Sequence, residues 1–424
     1  MIQFVHMQGL VKTRLFLTLV SVVVVVAGTV AVILFARGYR PNPATNSLSP
    51  TGILVAQSYP DGAQIYLNGQ LKSATNASLN LSPGRYAVAI KMAGFIDWQK
   101  DLVIKAEEVT RATAWLFPSV ASLRAVTATG ATRPAASPDG SKVAYLLRQN
   151  NLTRLYTLDL SESPLGLLNR ESKLITTLPN SPQSILNSQL IWSPDSRSLL
   201  LPASSSAIMV NLNSSQITDV SDRLDLIIST WHSQIVEQNT PRLSLLPKPL
   251  RDILATTGAD IVWSPKEDKI LYTATASAVI PDGLIKPLPG SSTQTQVRAL
   301  ESGRVYVYDV EEDTNFLLGD ALPPSPTPRP SRNPIPIPAD LASQIGYYHP
   351  GGFSWFPTSH HLVKANGGRV TIVEYDSTNS TTVYTGPLED SFAAAYPSTK
   401  QLLILTNLNP DTSLLPNLYA VSLR

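Results

Sequence analysis

The sequence predicts an all-β chain behind a single N-terminal apolar helix. Three observations carry that reading: an uncharged run at the start, a set of turn-rich short strands, and one hairpin cassette that returns five times. The 34 prolines and 22 glycines, with abundant Ser, Thr and Asn, suit closely spaced β-turns better than long helices. A chain of 424 residues exceeds one simple core and predicts two or three domains.

Leu15 to Ala36 carries no charge and has Val22–Val26 at its centre. A helix of this length crosses a hydrocarbon core of ~30 Å. A cleaved signal peptide would have a shorter apolar region ending in small residues. Here the run continues past Ala27, Gly28 and Ala31 to Phe35, so an uncleaved anchor over 15–36 is expected, with a 1–14 cytoplasmic tail. Flanking cations, Lys12 and Arg14 against Arg37 and Arg40, barely discriminate orientation. An anchor placed ahead of a large domain predicts export of that domain. Residues 37–50, rich in Pro, Asn, Ser and Thr, read as an extended linker.

Four of the 33 Lys and Arg residues lie in the first 40, where there is no acid, so the remainder is close to neutral. Without a clustered basic face, nucleic acid is not the expected partner. There is no cysteine, which excludes disulfides, thiolate metal sites, cysteine nucleophiles and a lipidated cysteine anchor.

Residues 51–118 alternate short strands with turns: Gly52–Ser58, Gln64–Leu67, Gly84–Met92, Asp101–Ile104 and one near Thr110–Phe117. Pro60-Asp61-Gly62 and Asn68-Gly69 are turn dipeptides, and Asp61 is read as a turn residue rather than a ligand. A small β-sandwich is expected. The run Ser58-Tyr59-Pro60-Asp61-Gly62-Ala63-Gln64-Ile65-Tyr66-Leu67-Asn68-Gly69, then Leu81-Ser82-Pro83-Gly84-Arg85-Tyr86 and Ala93-Gly94-Phe95, resembles the PEGA family. It departs at Ser73-Ala74-Thr75-Asn76, where that family tends to have Gly-x-Thr-Pro. The resemblance implies a cell-surface setting and no catalysis.

Residues 119–424 hold the cassettes: SPDGSKVAYLL from Ser137, IWSPD from Ile191 with Leu199–Leu201 after it, SPKEDKILYTA from Ser264, FPTSHHLVKA from Phe356 and YPSTKQLLILT from Tyr396. A third strand follows each, at Leu155, Ile208, Val305, Val370 and Leu418, and a fourth in the first four units, at Lys173, Gln216, Asn315 and Thr381. Four antiparallel strands repeated every 40–50 residues predict a β-propeller. The fifth unit ends after its third strand, while Ser122–Thr129 precedes the first cassette. Pairing those two ends would close about five blades and remove two exposed edges; six blades is the alternative. Trp192-Ser193-Pro194-Asp195, Trp263-Ser264-Pro265 and Ser137-Pro138-Asp139-Gly140 resemble the TolB-like propeller family, which implies partner binding in the envelope.

Three insertions interrupt the repeat. Leu224, Ile228, Trp231 and Ile235 have helical spacing, and Pro249 opens a second helix, Leu250–Thr257, stopped by Gly258. A helical hairpin is therefore expected near 222–258. Ala278–Gly303 and the proline-dense Leu322–Pro338 read as loops serving mainly as spacers.

No residue is assigned a catalytic, cofactor or metal role. Asp139 and Asp195 are read as turn builders. His6, His232, His349, His360 and His361 show no metal-ligand spacing, and Glu311-Glu312-Asp313 and Glu389-Asp390 lack a calcium-loop pattern. The expectation is a non-enzymatic, membrane-anchored envelope scaffold. Its propeller would bind a protein or cell-wall carbohydrate, with the small domain as spacer or surface contact. The alternative is a propeller glycan hydrolase or lyase using paired carboxylates.

Overall fold

A computed structural model describes residues 2–36, 38–42, 47–150, 152–161, 172–178, 189–202, 206–286, 292–321, 350–409 and 415–424. The proline-dense stretch 322–338 and His349 lie outside the described residues. Helix α1 spans Ile2–Ala36, and its segment Phe16–Ala36 is long and apolar enough to cross a membrane, with mean hydropathy 2.9. Its polar side chains are satisfied internally: Ser21 Oγ donates to Thr18 O and Thr29 Oγ1 to Val25 O. Arg40 donates to Phe35 O at 2.9 Å and lies over the Phe35 ring, so a cation caps the helix end where carbonyls lack partners.

Two compact units are present. The first comprises 1–91, 99–115 and 289–293; the second comprises 92–98, 116–288 and 294–424. The small-domain strands are β1 Gly52–Tyr59, β2 Gln64–Leu67, β3 Gln70–Ala74, β4 Ala77–Leu81, β5 Gly84–Lys91, β6 Trp98–Ile104 and β7 Val109–Trp115. They form a three-stranded sheet, β4-β1-β7, and a four-stranded sheet, β3-β2-β5-β6. Strand β1 pairs parallel with β7 and antiparallel with β4. Alternate residues are buried: Leu54 and Ala56 on β1, Ile65 and Leu67 on β2, Val88 and Ile90 on β5, Ala112 and Ala114 on β7. Edge strand β6 gives its Val103 amide to Thr293 Oγ1, so a residue from the long insertion covers part of that edge.

The second unit contains five four-stranded antiparallel sheets among the described residues. The first four are consecutive meanders. They comprise Thr132–Ala136, Lys142–Gln149, Leu152–Asp159 and Lys173–Leu178; then Ile191–Trp192, Ser198–Pro202, Ala207–Asn211 and Ile217–Asp219. The third holds Gly258–Trp263, Lys269–Ala274, Arg304–Asp309 and Thr314–Asp320, the fourth Phe353–Trp355, His361–Asn366, Arg369–Glu374 and Thr381–Thr385. The fifth joins Ala393–Ala395, Gln401–Thr406 and Asn417–Ser422 to Leu123–Ala125 from the other end of the unit. Leu123, Arg124 and Ala125 face Val421, Ala420 and Tyr419. The pairing expected of Ser122–Thr129 is present at its centre.

Neighbouring sheets share apolar clusters. The fifth and first meet through Leu403, Leu418, Tyr396, Val143 and Leu158. The first and second share a cluster containing Leu146, Leu155, Trp192, Leu199 and Leu201. The third and fourth meet through Leu271, Val307, Phe316, Phe353, Leu362 and Tyr375. Between the fourth and fifth, Tyr384 Oη lies 3.0 Å from Thr406 Oγ1, and both hydroxyls donate to Pro387 O.

Two helices, α2 Leu224–Ser244 and α3 Lys248–Thr257, stand between the second and third meanders in the chain. Leu224, Ile228, Trp231 and Ile235 of α2 pack on the second, while Leu250 and Leu254 of α3 pack on Ile270, Tyr272 and Tyr306 of the third. The 4-3-4 spacing is thus one buried stripe. Gly258 ends α3, and a Cβ there would lie 2.6 Å from Leu254 O. The chain can turn straight into the next strand only because that atom is missing.

Candidate functional site

Each cassette is the same turn, whatever its residues. The amide of the first residue donates to the carbonyl five positions later: Ser137 to Lys142, Ser193 to Ser198, Ser264 to Lys269, Phe356 to His361 and Tyr396 to Gln401. The fourth residue donates back to the first, and in every case it has a positive φ: Gly140 at 67°, Ser196 at 57°, Glu267 at 60°, Ser359 at 63° and Thr399 at 63°. Proline at the second position presets the turn.

The Ser and Asp of the cassettes are held inside these turns. Ser137 Oγ donates to Asp139 Oδ1 at 2.6 Å and accepts the Lys142 amide at 2.9 Å. Ser193 Oγ does the same with Asp195 Oδ1 and the Ser198 amide. In the third unit Asp268 replaces the missing Asp, taking the Ser264 hydroxyl at 2.6 Å. Burial pushes the Asp139 carboxyl up, but hydrogen bonds from Ser137 and Ser141, with Lys142 nearby, hold it below its ordinary 3.8. Adjacent turns are laced together: Asp139 N donates to Ser196 Oγ, and Lys266 N to Ser359 Oγ.

The cassette Trp residues bridge sheets. Trp192 Nε1 donates to Ala135 O of the first meander, and Trp355 Nε1 to Val262 O of the third. Trp263 Nε1 is buried without a hydrogen-bond partner among the described residues. In the chain, the meander before it is separated from its own by α2 and α3, so the carbonyl that serves Trp192 and Trp355 has no counterpart. Arg242 of α2 instead reaches Glu267 of the third turn.

The densest chemistry is a charge cluster at the edge of the third meander. Lys269 and Asp309 are direct cross-strand partners and both are buried. Lys269 Nζ lies 2.9 Å from Asp268 Oδ2, 3.1 Å from Asp309 Oδ2 and 4.7 Å from the Tyr375 ring centroid. Burial opposes the Lys269 charge, but the two carboxylates outweigh it and raise its pKa, which holds it as an ammonium. Burial likewise pushes Asp309 up, against the pull of Lys269 and two backbone amides, Glu311 and Glu312. For Asp268, burial raises and the Ser264 and Lys269 contacts lower, with a net fall. A charged lysine bracketed by two acids is an ion-pair lock; it is not a nucleophile.

The same register recurs. Lys142 faces Asp159 in the first meander and His361 faces Glu374 in the fourth. His361 is buried, with Nδ1 3.1 Å from Thr358 Oγ1, and its ring packs edge-on to Phe117 and Phe356. Glu374 accepts from Trp98 Nε1 and Asn379 Nδ2. A basic residue five places into the cassette and an acid at the end of the third strand were the available sequence signal for these pairs.

The acid-rich segments resolve into separate structural tasks. Asp313 is buried, takes the Tyr308 hydroxyl at 2.6 Å and the Leu284 amide at 2.8 Å, and pairs with Arg298 at 3.1 Å. Ala278–Val279 also pair with Ala299–Leu300. The described parts of 278–303, read as a spacer, are therefore fastened to the third meander. Asp390 pairs with Arg133. Asn76 Nδ2 donates to Asp61 Oδ1 at 3.3 Å, beside Gly62 at φ 83°. His232 lies on α2, away in sequence from His360 and His361, and no group of three or more His, Asp or Glu could hold a metal among the described residues.

Residues 51–119 match the family model for the PEGA domain. Solved structures similar to the chain include TolB from Acinetobacter baumannii, 13% identical over 80% of this chain and 60% of that one, with a TM-score of 0.24. The β-propeller domain of Cps50 (Swd1) from Myceliophteria thermophila is 13% identical over 72% of this chain and 100% of that one, with a TM-score of 0.29. A TolB homologue from Agrobacterium tumefaciens is 11% identical over 79% of this chain and 91% of that one, with a TM-score of 0.18. The chain thus spans about 60% of the length of the first of these. Such overlaps are loose, and the architecture rests on the strand pairing itself. No curated protein matches the chain.

Proposed function

We propose that this protein is a membrane-tethered, non-enzymatic scaffold of the cell envelope. Helix α1 anchors it, the PEGA-matching domain provides a spacer or surface contact, and the second unit is a five-bladed propeller that binds a protein or carbohydrate partner. The observation that carries the reading is the pairing of Leu123–Ala125 with the C-terminal strand. It completes the one meander that lacks a fourth strand and leaves five equivalent sheets, each packed on a neighbour or on the helical hairpin. Closure of this kind makes a rigid support with no exposed sheet edge.

The assignment as a scaffold rests on where the side-chain chemistry is spent. The cassette Ser and Asp oxygens hold turns, and Lys269 with Asp268 and Asp309 locks two strands. A glycan hydrolase needs two free carboxylates ~5–10 Å apart. The buried carboxylates Asp309 and Asp313 each carry a cationic partner. The partner surface is assigned to loops and insertions, which differ between blades.

Export of the two domains is tested directly, because the chain has no cysteine. Val120 is 85% exposed. In intact cells, a Val120→Cys variant should react with a membrane-impermeant maleimide. Labelling only after lysis would overturn the extracytoplasmic placement. Site-specific photocrosslinking from the described insertions, such as α2, should then trap one discrete partner. A ladder identical to that of an unrelated exported protein would count against a binding scaffold.

A further inference from the structure

The outer face of the small domain's four-stranded sheet carries a trough of about 580 Å³ across β2, β5 and β6. Its origin lies in the strand alternation. Strand β2 buries Ile65 and Leu67 and turns Tyr66 outward; β5 buries Val88 and Ile90 and turns Ala87, Ala89 and Lys91 outward. Tyr66 is the direct cross-strand partner of Ala89, so the ring stands beside a methyl group rather than a bulky neighbour. Alanine is disfavoured in strands, where β-branched and aromatic residues stabilise a face by packing across it. Two alanines on the outer face of an inner strand forgo that stabilisation and leave a floor one ring thick. Gln99, Lys100 and Asp101 of β6 form the far wall.

We propose that this trough binds an acidic polysaccharide strand. The lining brings together an aromatic ring, two ammonium groups, one carboxylate and one amide. Tyr66 offers a flat apolar surface to a sugar ring. Lys91 Nζ lies 5.7 Å from the centre of that ring, within reach of a carboxylate carried by a sugar lying along it. Lys100 adds a second positive charge against the single negative charge of Asp101, so the lining favours an anion. Gln99 and Asp101 provide the amide and acceptor oxygens that hydroxyl-rich ligands need. An open trough, unlike a closed cavity, suits a polymer passing through it. The mostly polar walls do not suit a lipid tail or an apolar peptide.

The test uses the full chain in detergent or nanodiscs, with hexagalacturonate as the acidic probe and its carboxyl-reduced neutral counterpart as control. Calorimetric titration should show hexagalacturonate binding at least tenfold more tightly than the neutral hexamer. Lys91→Gln should weaken binding by about tenfold, the loss expected of one charge-assisted contact. Ala87→Trp, at an exposed position, fills the trough and should abolish binding while leaving the circular dichroism and melting temperature unchanged. Absence of hexagalacturonate binding, equal binding of the neutral hexamer, or wild-type affinity in both variants would overturn the proposal. None of these outcomes bears on the anchor or the propeller, which the labelling and crosslinking experiments test separately.

Discussion

Thr399 occupies the fourth position of its cassette turn with φ 63°, a conformation that costs an L-residue about 1–2 kcal/mol and suits a β-branched one least. The first unit meets the same demand with Gly140. Ser196 and Ser359 use their hydroxyls to accept amides from adjacent turns, which gives them a second task. Thr399→Gly should stabilise the protein by about 0.5–1 kcal/mol, after the entropy that glycine returns to the unfolded chain, read as a higher urea midpoint with unchanged slope. Lys269 is the opposite case. Lys269→Met leaves Asp309 buried without its cation and should cost about 3–5 kcal/mol, whereas adding Asp309→Asn should recover much of the loss. Equal midpoints for the single and double variants would contradict the ion-pair lock. Lys269 has a raised pKa, so its contribution is complete below the ordinary lysine value of 10.5 and is lost as pH rises through the folded value. Asp139 and Asp268 are lowered, so their contribution is complete above the ordinary 3.8 and is lost as pH falls through their folded values. Alkaline unfolding should therefore begin at lower pH in an Asp268→Asn variant than in the wild type.

At the scale of elements, the hairpin α2–α3 shows how much the apolar pattern can say. Leu224, Ile228, Trp231 and Ile235 are the residues α2 buries, and no turn chemistry interrupts them. Trp231→Ala should cost about 3–5 kcal/mol and loosen α2 more than any meander, seen as faster amide exchange confined to 224–244. What periodicity could not show was structure that buries little. Strands β3 and β4, Gln70–Ala74 and Ala77–Leu81, are polar and mostly exposed, so neither alternation nor apolar content marked them. The parallel pairing of β1 with β7 joins residues far apart in the chain, such as Ile53 and Val109, and leaves no local trace. Segment 278–303 read as a spacer because its composition is loop-like; its order comes from Asp313 and Arg298, each reaching across the chain. The charge lock was half visible, since Lys269 and Asp309 end their strands, but only the register makes them partners. Likewise, the trough on the PEGA-matching domain depends on Tyr66 facing Ala89, which needs the pairing of β2 with β5.

For the whole molecule, the central claim is that five sheets close on themselves through the two ends of the second unit. The repeat was legible because each cassette is a turn with fixed backbone demands, kept even where Phe356 and Tyr396 replace the Ser at the head of the turn. The pairing of the two ends was legible from one missing strand and one spare. Arg124 and Ala420 are direct partners across that junction, and antiparallel partners have Cα atoms ~4.5–5.5 Å apart, within the range a disulfide spans. The chain's lack of cysteine makes the experiment clean. An Arg124→Cys, Ala420→Cys double variant, oxidised in the native state, should form one intramolecular disulfide nearly quantitatively and raise the melting temperature of the second unit. Free thiols that persist under oxidation, or crosslinking only between molecules, would contradict the closed five-sheet architecture.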